Sequence, residues 1–200
     1  MSKLYFRYGA MESGKSTSLL QVVHNYKDKD KTVFLLKPQI DTKGDRHVVS
    51  RIGIQSDVDA LVAEDQSIFD ILMSLSNTNF EKIDAVIIDE AQFLTPDQID
   101  QLYYMTKQYD IPILCYGLRC DFQMKGFPGA TRLLEIADSI EELKTICKCG
   151  SKATQNMRYL NGIPTFNGDQ VAIDGENKVT YESVCGKCYI LTKEKYQNKK

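Results

Sequence analysis

No apolar run in this 200-residue chain approaches the roughly 18 residues that a membrane-spanning helix needs. The Met-Ser-Lys start leads straight into a strand-like run, with no apolar stretch behind a basic one, so no secretory signal is read and a cytoplasmic location is expected. An excess of one charge is also missing: Lys and Arg total 25 against 27 Asp and Glu, a net charge of −2. Dedicated nucleic-acid binders are basic, at least locally, so this balance weighs against that class. There are no internal repeats, and only the tail "KEKYQNKK" is biased; residues 192–200 are expected to be disordered. In a reducing cytosol disulfides are disfavoured, which leaves six cysteines to explain.

What is present is an ordinary globular composition, 42% hydrophobic and 26% charged, long enough for one full domain and a small appendage. "KLYFRY" (3–8) reads as a first strand, and the segment "KSTSLLQVVHNYK" after it has helical apolar spacing. "TVFLLK" (32–37), "IDAVIIDE" (83–90) and "IPILCYG" (111–117) are continuously apolar, as strands covered on both faces are. "SIFDILMSL" (67–75) reads as a helix, and "SIEEL" (139–143) as one more strand. "TPDQIDQLYYMTKQY" opens with a helix-start signature: Thr95 as cap, Pro96 first, Gln98 three residues after the cap. Residues 38–53 lack periodicity and predict a long charged loop, and 118–129 a second loop. The alternation predicts an α/β domain with a parallel sheet over 1–145. Helix signals fade beyond it, so 146–191 reads as a small second unit.

Residues Gly9 to Ser16, "GAMESGKS", fit G-x-x-x-x-G-K-[ST] at every fixed position. The glycines let successive backbone N–H groups face inward, and the following helix N-terminus completes an anion nest. Lys15 can reach the β- and γ-phosphates, and the Ser16 hydroxyl can ligate Mg²⁺. Average composition yields this pattern in roughly one chain of this length in a hundred, and a strand before and a helix after fit the context. "AVIIDE" ends a buried strand on two acids. Asp89 suits the magnesium-linked acid of such enzymes, and Glu90 a general base on whatever attacks the γ-phosphate. Taken alone, the two acids would read as the approach to a helix start.

Four cysteines form two tight pairs, Cys147 with Cys149 and Cys185 with Cys188. Four soft ligands in two knuckles, with Gly150 and Gly186 at the turns, suit a closed, structural, tetrahedral zinc site. Two disulfides or four free thiols are the alternatives. Cys115 reads as core. Phe93, Phe122 and Phe127 lie at or between strand ends, where open α/β sheets hold ligands and a flat base could stack; each is otherwise an ordinary core residue.

Three functions fit these residues: a small-molecule kinase, a nucleic-acid-stimulated ATPase, and a nucleotide switch. The ATPase reading leans on "DEAQ", but 200 residues at net −2 supply neither a second motor core nor a basic channel. The switch lacks a base-specificity motif. The kinase gives the cysteine unit a task, anchoring a segment (159–180) that closes over the acceptor and excludes water.

"YGAMESGKST", "VIIDEAQFL", "CYGLRCDFQ", "LKTICKCGSKA", "MRYLNG" and "YESVCGKCY" come in the order and at the intervals of zinc-containing thymidine kinases, and the chain resembles that family from about residue 3 to 190. The resemblance implies a P-loop NTPase, RecA-like sheet flanked by helices, with a small C-terminal zinc-ribbon and lasso unit. It implies phosphoryl transfer from ATP to the 5′-hydroxyl of thymidine, and of deoxyuridine, with Glu90 as general base. On the ATP side it places Gly9, Ala10, Met11, Glu12, Ser13, Gly14, Lys15, Ser16, Asp89 and Gln92, with Ser16 and Asp89 serving Mg²⁺. On the thymidine side it places Met11, Phe93, Leu118, Phe122, Ile173, Asp174, Gly175 and Tyr181. Cys147, Cys149, Cys185 and Cys188 match the zinc positions. A homotetramer inhibited by dTTP is implied too, with no nucleic-acid or membrane partner. Two departures stand out. Lys43 occupies the position of a family Arg and cannot reproduce its bidentate phosphate contacts, a role Arg46 or Arg51 could take over. The lasso "AIDGENKVTY" is longer by two residues than the usual form.

Overall fold

The computed structural model describes residues 1–41, 46–77, 79–170 and 178–197. β1 (Leu4–Tyr8) leads into α1 (Lys15–Lys27) and β2 (Val33–Pro38). An antiparallel hairpin of β3 (His47–Val49) and β4 (Gln55–Asp57) precedes β5 (Ala60–Val62) and α2 (Ile68–Leu75). The domain continues with β6 (Ala85–Ile88), α3 (Pro96–Gln108), β7 (Ile113–Gly117), α4 (Pro128–Ile136) and β8 (Ser139–Glu142). Six strands pair in the order β5-β2-β6-β7-β1-β8, every pairing parallel.

The apolar strands are continuous because both faces of this sheet are covered. Along β6, Ala85 and Ile87 join Val33 and Leu35 of β2 against Leu19, Leu20 and Val23 of α1. Val86 and Ile88 turn to the opposite face with Leu36, Ile113 and Cys115, where Leu72, Ile99, Leu102 and Leu133 of α2, α3 and α4 meet them. The predicted cap of α3 is present in full: Gln98 N–H donates to the Thr95 hydroxyl, and the Thr95 N–H to the Gln98 side chain. Ligand-bearing loops therefore leave the carboxyl ends of β1, β6 and β7, three neighbouring strands.

Beyond β8 the structure becomes antiparallel. β9 (Thr145–Ile146) and β10 (Lys152–Ala153) form a hairpin, and β11 (Gln155–Leu160) lies between β12 (Ile163–Thr165) and β13 (Val179–Val184). α5 (Gly186–Gln197) follows. Its core is small: Cys147, Ala153, Met157, Val184, Cys185 and Tyr189.

Three elements differ from the sequence reading. The loop expected over 38–53 contains strand β3, whose buried Val48 and the His47–Asp57 ion pair at 2.6 Å hold a hairpin too short to show a period. α4 begins at Pro128, inside the second expected loop. The tail expected to be disordered from 192 is helical to Gln197, because α5 is anchored through fully buried Tyr189, whose hydroxyl donates to the Phe122 carbonyl at 2.6 Å.

Candidate active site

The phosphate loop leaves β1 at Tyr8 and enters α1 at Lys15. Gly9 packs so tightly that a Cβ there would lie 2.4 Å from the Leu143 carbonyl oxygen, and Gly14 caps α1 in the left-handed region at φ 78°. No side chain caps the helix and its first turn carries no acid, so its N–H groups are left for an anion. The Lys15 ammonium is buried and donates to the carbonyls of Gly9 (3.2 Å) and Ala10 (3.0 Å).

Asp89 follows the last residue of β6 and is 5% exposed. Its Oδ1 is buried without a hydrogen-bond partner. Desolvation, with the charges of Glu90 and Asp41 added, pushes its carboxyl up to about 7. An orphaned, buried carboxylate oxygen that feels the Lys15 charge fits a hard divalent cation, with Ser16 on the neighbouring cleft wall. Glu90 turns out of the strand direction in the left-handed conformation, φ 49°, ψ 37°. That conformation costs a non-glycine residue about 1 kcal/mol or more, and it separates the paths of the two acids. The Glu90 Oε2 accepts from the Gln92 amide at 2.6 Å, and the Gln92 Oε1 accepts from the Leu118 N–H at 2.9 Å. Gln92, 1% exposed, thus bridges the loops after β6 and β7 and lines the cleft shared with the phosphate loop.

A cleft of about 340 Å³ joins the phosphate loop to Glu90 and Gln92, and the buried Asp89 is not part of its lining. Residues 11–17 line it together with Asp41, Val49, Arg51, Ile52, Glu90, Gln92, Phe93 and Leu118. Met11, Phe93 and Leu118 are therefore brought together with Glu90 as expected. Phe93 also borders a second cavity of about 410 Å³, where it meets Phe127 edge-on at 5.4 Å. Two expected base-pocket residues lie elsewhere. Phe122 is 1% exposed and covered by the Arg158 guanidinium, 3.4 Å above its ring. Tyr181 of β13 pairs with Arg158 of β11 and borders a separate open groove with Glu12, Tyr159 and Glu182. Antiparallel register alone decides which strand face it takes. Ile173, Asp174, Gly175 and Lys43 lie outside the described residues.

Two contacts were not legible in the sequence. The Met11 N–H donates to the Asn156 Oδ1 at 2.8 Å, and the Ser183 hydroxyl donates to the Met11 carbonyl. Both partners are 3% exposed. The apex of the phosphate loop is therefore held by β11 and β13 of the C-terminal unit. The signal for them was faint: single polar residues within short strands whose inward face no period marks.

The four paired cysteines converge, with sulfur atoms within 4.8 Å of one another. Cys147 and Cys149 sit in the turn between β9 and β10, where Gly150 takes φ 86° and donates to the Cys147 carbonyl at 2.8 Å. Cys185 and Cys188 flank the start of α5, where Gly186 is simply helical. All six cysteines are free, and the Cys149–Cys185 sulfur separation of 3.6 Å is far beyond a bond. It matches the edge of a tetrahedron with metal–sulfur bonds of about 2.3 Å, so the cluster could hold a metal such as zinc. Cys115 is wholly buried, which pushes its thiol up.

A parallel sheet with a phosphate loop after β1 and an acid pair after β6 defines a P-loop nucleotide-binding protein. Within that class the thymidine kinase family model matches residues 2–189, and the chain belongs to the thymidine kinase family. It is 43% identical to a thymidine kinase of Chromobacterium violaceum, over 94% of this chain and 98% of that one. Identity is 41% to the thymidine kinase of Enterococcus faecalis (96% and 97% covered) and 45% to that of Photorhabdus laumondii (95% and 93%). No helix among the described residues is long and apolar enough to cross a membrane.

Proposed function

We propose that this protein phosphorylates thymidine, moving the γ-phosphoryl group of ATP to the nucleoside 5′-hydroxyl. The supporting observation is that residues 11–16 of the phosphate loop and Glu90 line one cleft with Phe93 and Leu118. The loop N–H groups and the α1 N-terminus cradle the phosphates, and Lys15 exchanges its two loop carbonyls for phosphate oxygens. Glu90, oriented by Gln92, takes the 5′-hydroxyl proton. Phe93, Leu118 and the Met11 side chain offer an apolar wall to the base. Ser16 and Asp89 would hold Mg²⁺, which when bound offsets charge on the β- and γ-phosphates. Zinc in the cysteine cluster is structural, since four thiolates complete a tetrahedron and leave no open position.

Family resemblance supports the finer readings: deoxyuridine as a second acceptor, dTTP as feedback inhibitor, a homotetramer and a cytoplasmic location. The test is a panel of deoxynucleosides incubated with ATP, magnesium and purified protein, read as monophosphate formed. Thymidine is expected to be converted. No conversion, with ATP hydrolysis rising only when DNA is added, would replace the kinase with a nucleic-acid-stimulated ATPase.

A further inference from the structure

The phosphate loop carries an acid where an anion is to bind. Glu12 lies at its middle in the left-handed region, φ 65°, and its carboxylate pairs with Arg51 while also accepting from the Ser183 hydroxyl at 3.3 Å. Arg51 comes from the turn between β3 and β4, which brings Val49, Arg51 and Ile52 to the rim of the cleft. Among the described lining residues the acids are Glu12, Asp41 and Glu90, and the bases only Lys15 and Arg51. Asp41 is paired with buried Lys37 at 3.0 Å, so Glu12 and Glu90 stand against Lys15 and Arg51 and a polyphosphate meets no excess of positive side chains. Arg51 is the guanidinium at hand, and its planar fork matches phosphate oxygens as an ammonium cannot. The pair is 60% and 40% exposed, so it contributes little to folding and can change partner at small cost.

We propose that Arg51 binds the polyphosphate of ATP, and that Glu12 holds the guanidinium over the loop until nucleotide competes it away. This rests on the kinase reading, and it assigns Glu12 a restraining role rather than a binding one. The two side chains should then have opposite effects on ATP. Titration calorimetry on the full, zinc-loaded chain measures this with ATP and magnesium, and with inorganic tripolyphosphate as the probe without a base. Arg51→Ala is expected to weaken both by about 10- to 100-fold, the range for losing a charged hydrogen-bond pair. Arg51→Lys falls between, and Glu12→Gln tightens binding about threefold or more by freeing the guanidinium. Zinc content and thymidine binding should stay at wild-type values, which separates these effects from misfolding. Arg51→Ala that binds ATP as wild type does overturns the proposal. So does Glu12→Gln that weakens ATP as much as Arg51→Ala, because the pair would then only brace the loop. A Glu12→Gln gain equally large in an Arg51→Ala background also overturns it, by tracing the effect to the Glu12 charge alone. A wild-type chain that binds neither probe overturns the kinase reading beneath it.

Discussion

The parallel sheet and the cysteine-bearing unit after it bury apolar surface in different ways. The sheet is covered on both faces, by α1 on one and by α2, α3 and α4 on the other. Among its described residues the later unit has six buried hydrophobic ones, and two of them are cysteines. A core of that size falls short of the ordering cost of its chain, and small units commonly close the gap with a metal. The expectation is that the sheet stands without a ligand, whereas the second unit needs the proposed metal at its sulfur cluster to keep β11 and β13 in position. Those strands hold the Met11 backbone at both its N–H and its carbonyl, so the less self-sufficient region steadies the phosphate loop of the more self-sufficient one.

Withdrawing zinc breaks the comparison most severely. Structural zinc contributes on the order of 10 kcal/mol to small folds. Chelation, or Cys185→Ser, should open residues 146–191 to protease while the sheet keeps its helical circular dichroism. Thymidine phosphorylation should fall with it. Equal loss of both regions would mean that the sheet does not stand alone.

Glu90→Gln acts on the sheet side only. It should lower kcat by about 10²- to 10⁴-fold, the contribution of a general base, with ATP affinity and zinc content kept. Near-normal turnover would remove Glu90 from the proton transfer.

Asp89 sharpens the contrast from the stability side. Its carboxyl is raised in the folded chain, from 3.8 to about 7. Its contribution to stability is therefore present below the ordinary carboxylate range and is lost as pH rises through about 7. Each tenfold difference in proton affinity between the folded and unfolded chain is worth about 1.4 kcal/mol. Without added magnesium, the chain should therefore lose up to about 4 kcal/mol between about pH 4 and 8 on this account. Asp89→Asn should flatten that dependence in urea titrations and abolish turnover. An unchanged pH profile would show that the carboxyl stays ionised without penalty.

Asn156→Ala is the mildest and tests the junction itself. It removes the acceptor of the part-buried Met11 N–H, at a cost of about 1 kcal/mol. The Michaelis constants for ATP and thymidine should both rise, since Met11 belongs to the loop and also lines the cleft. A change in kcat alone would argue against this coupling.

Much of the sheet was legible because its signals are local. β1, α1, β6 and β7 fall where their apolar runs predict them, and the box at Thr95 and Gln98 forms as its spacing demands. The hairpin at 47–57 was not legible, since three-residue strands carry no measurable period, nor was the helical tail, whose order depends on one buried Tyr189. Of the expected site residues, Met11, Lys15, Glu90, Phe93 and Leu118 line one cleft. Phe122 and Tyr181 do not line it: Arg158 covers one, and the other, on β13, borders a separate groove.

By itself the sequence determined a phosphate loop, an acid pair at a strand end and four thiols at knuckle spacing. In each case the chemistry needs residues adjacent or nearly so along the chain, and adjacency is what a sequence records. Only the tertiary structure decided that Asn156, 145 residues from Met11, and Ser183, 172 residues away, hold the loop apex, that Gln92 ties Glu90 to Leu118, and that Arg51 sits on Glu12. A buried polar group must find a partner, but which one it finds depends on how distant strands pack, and no local pattern encodes that.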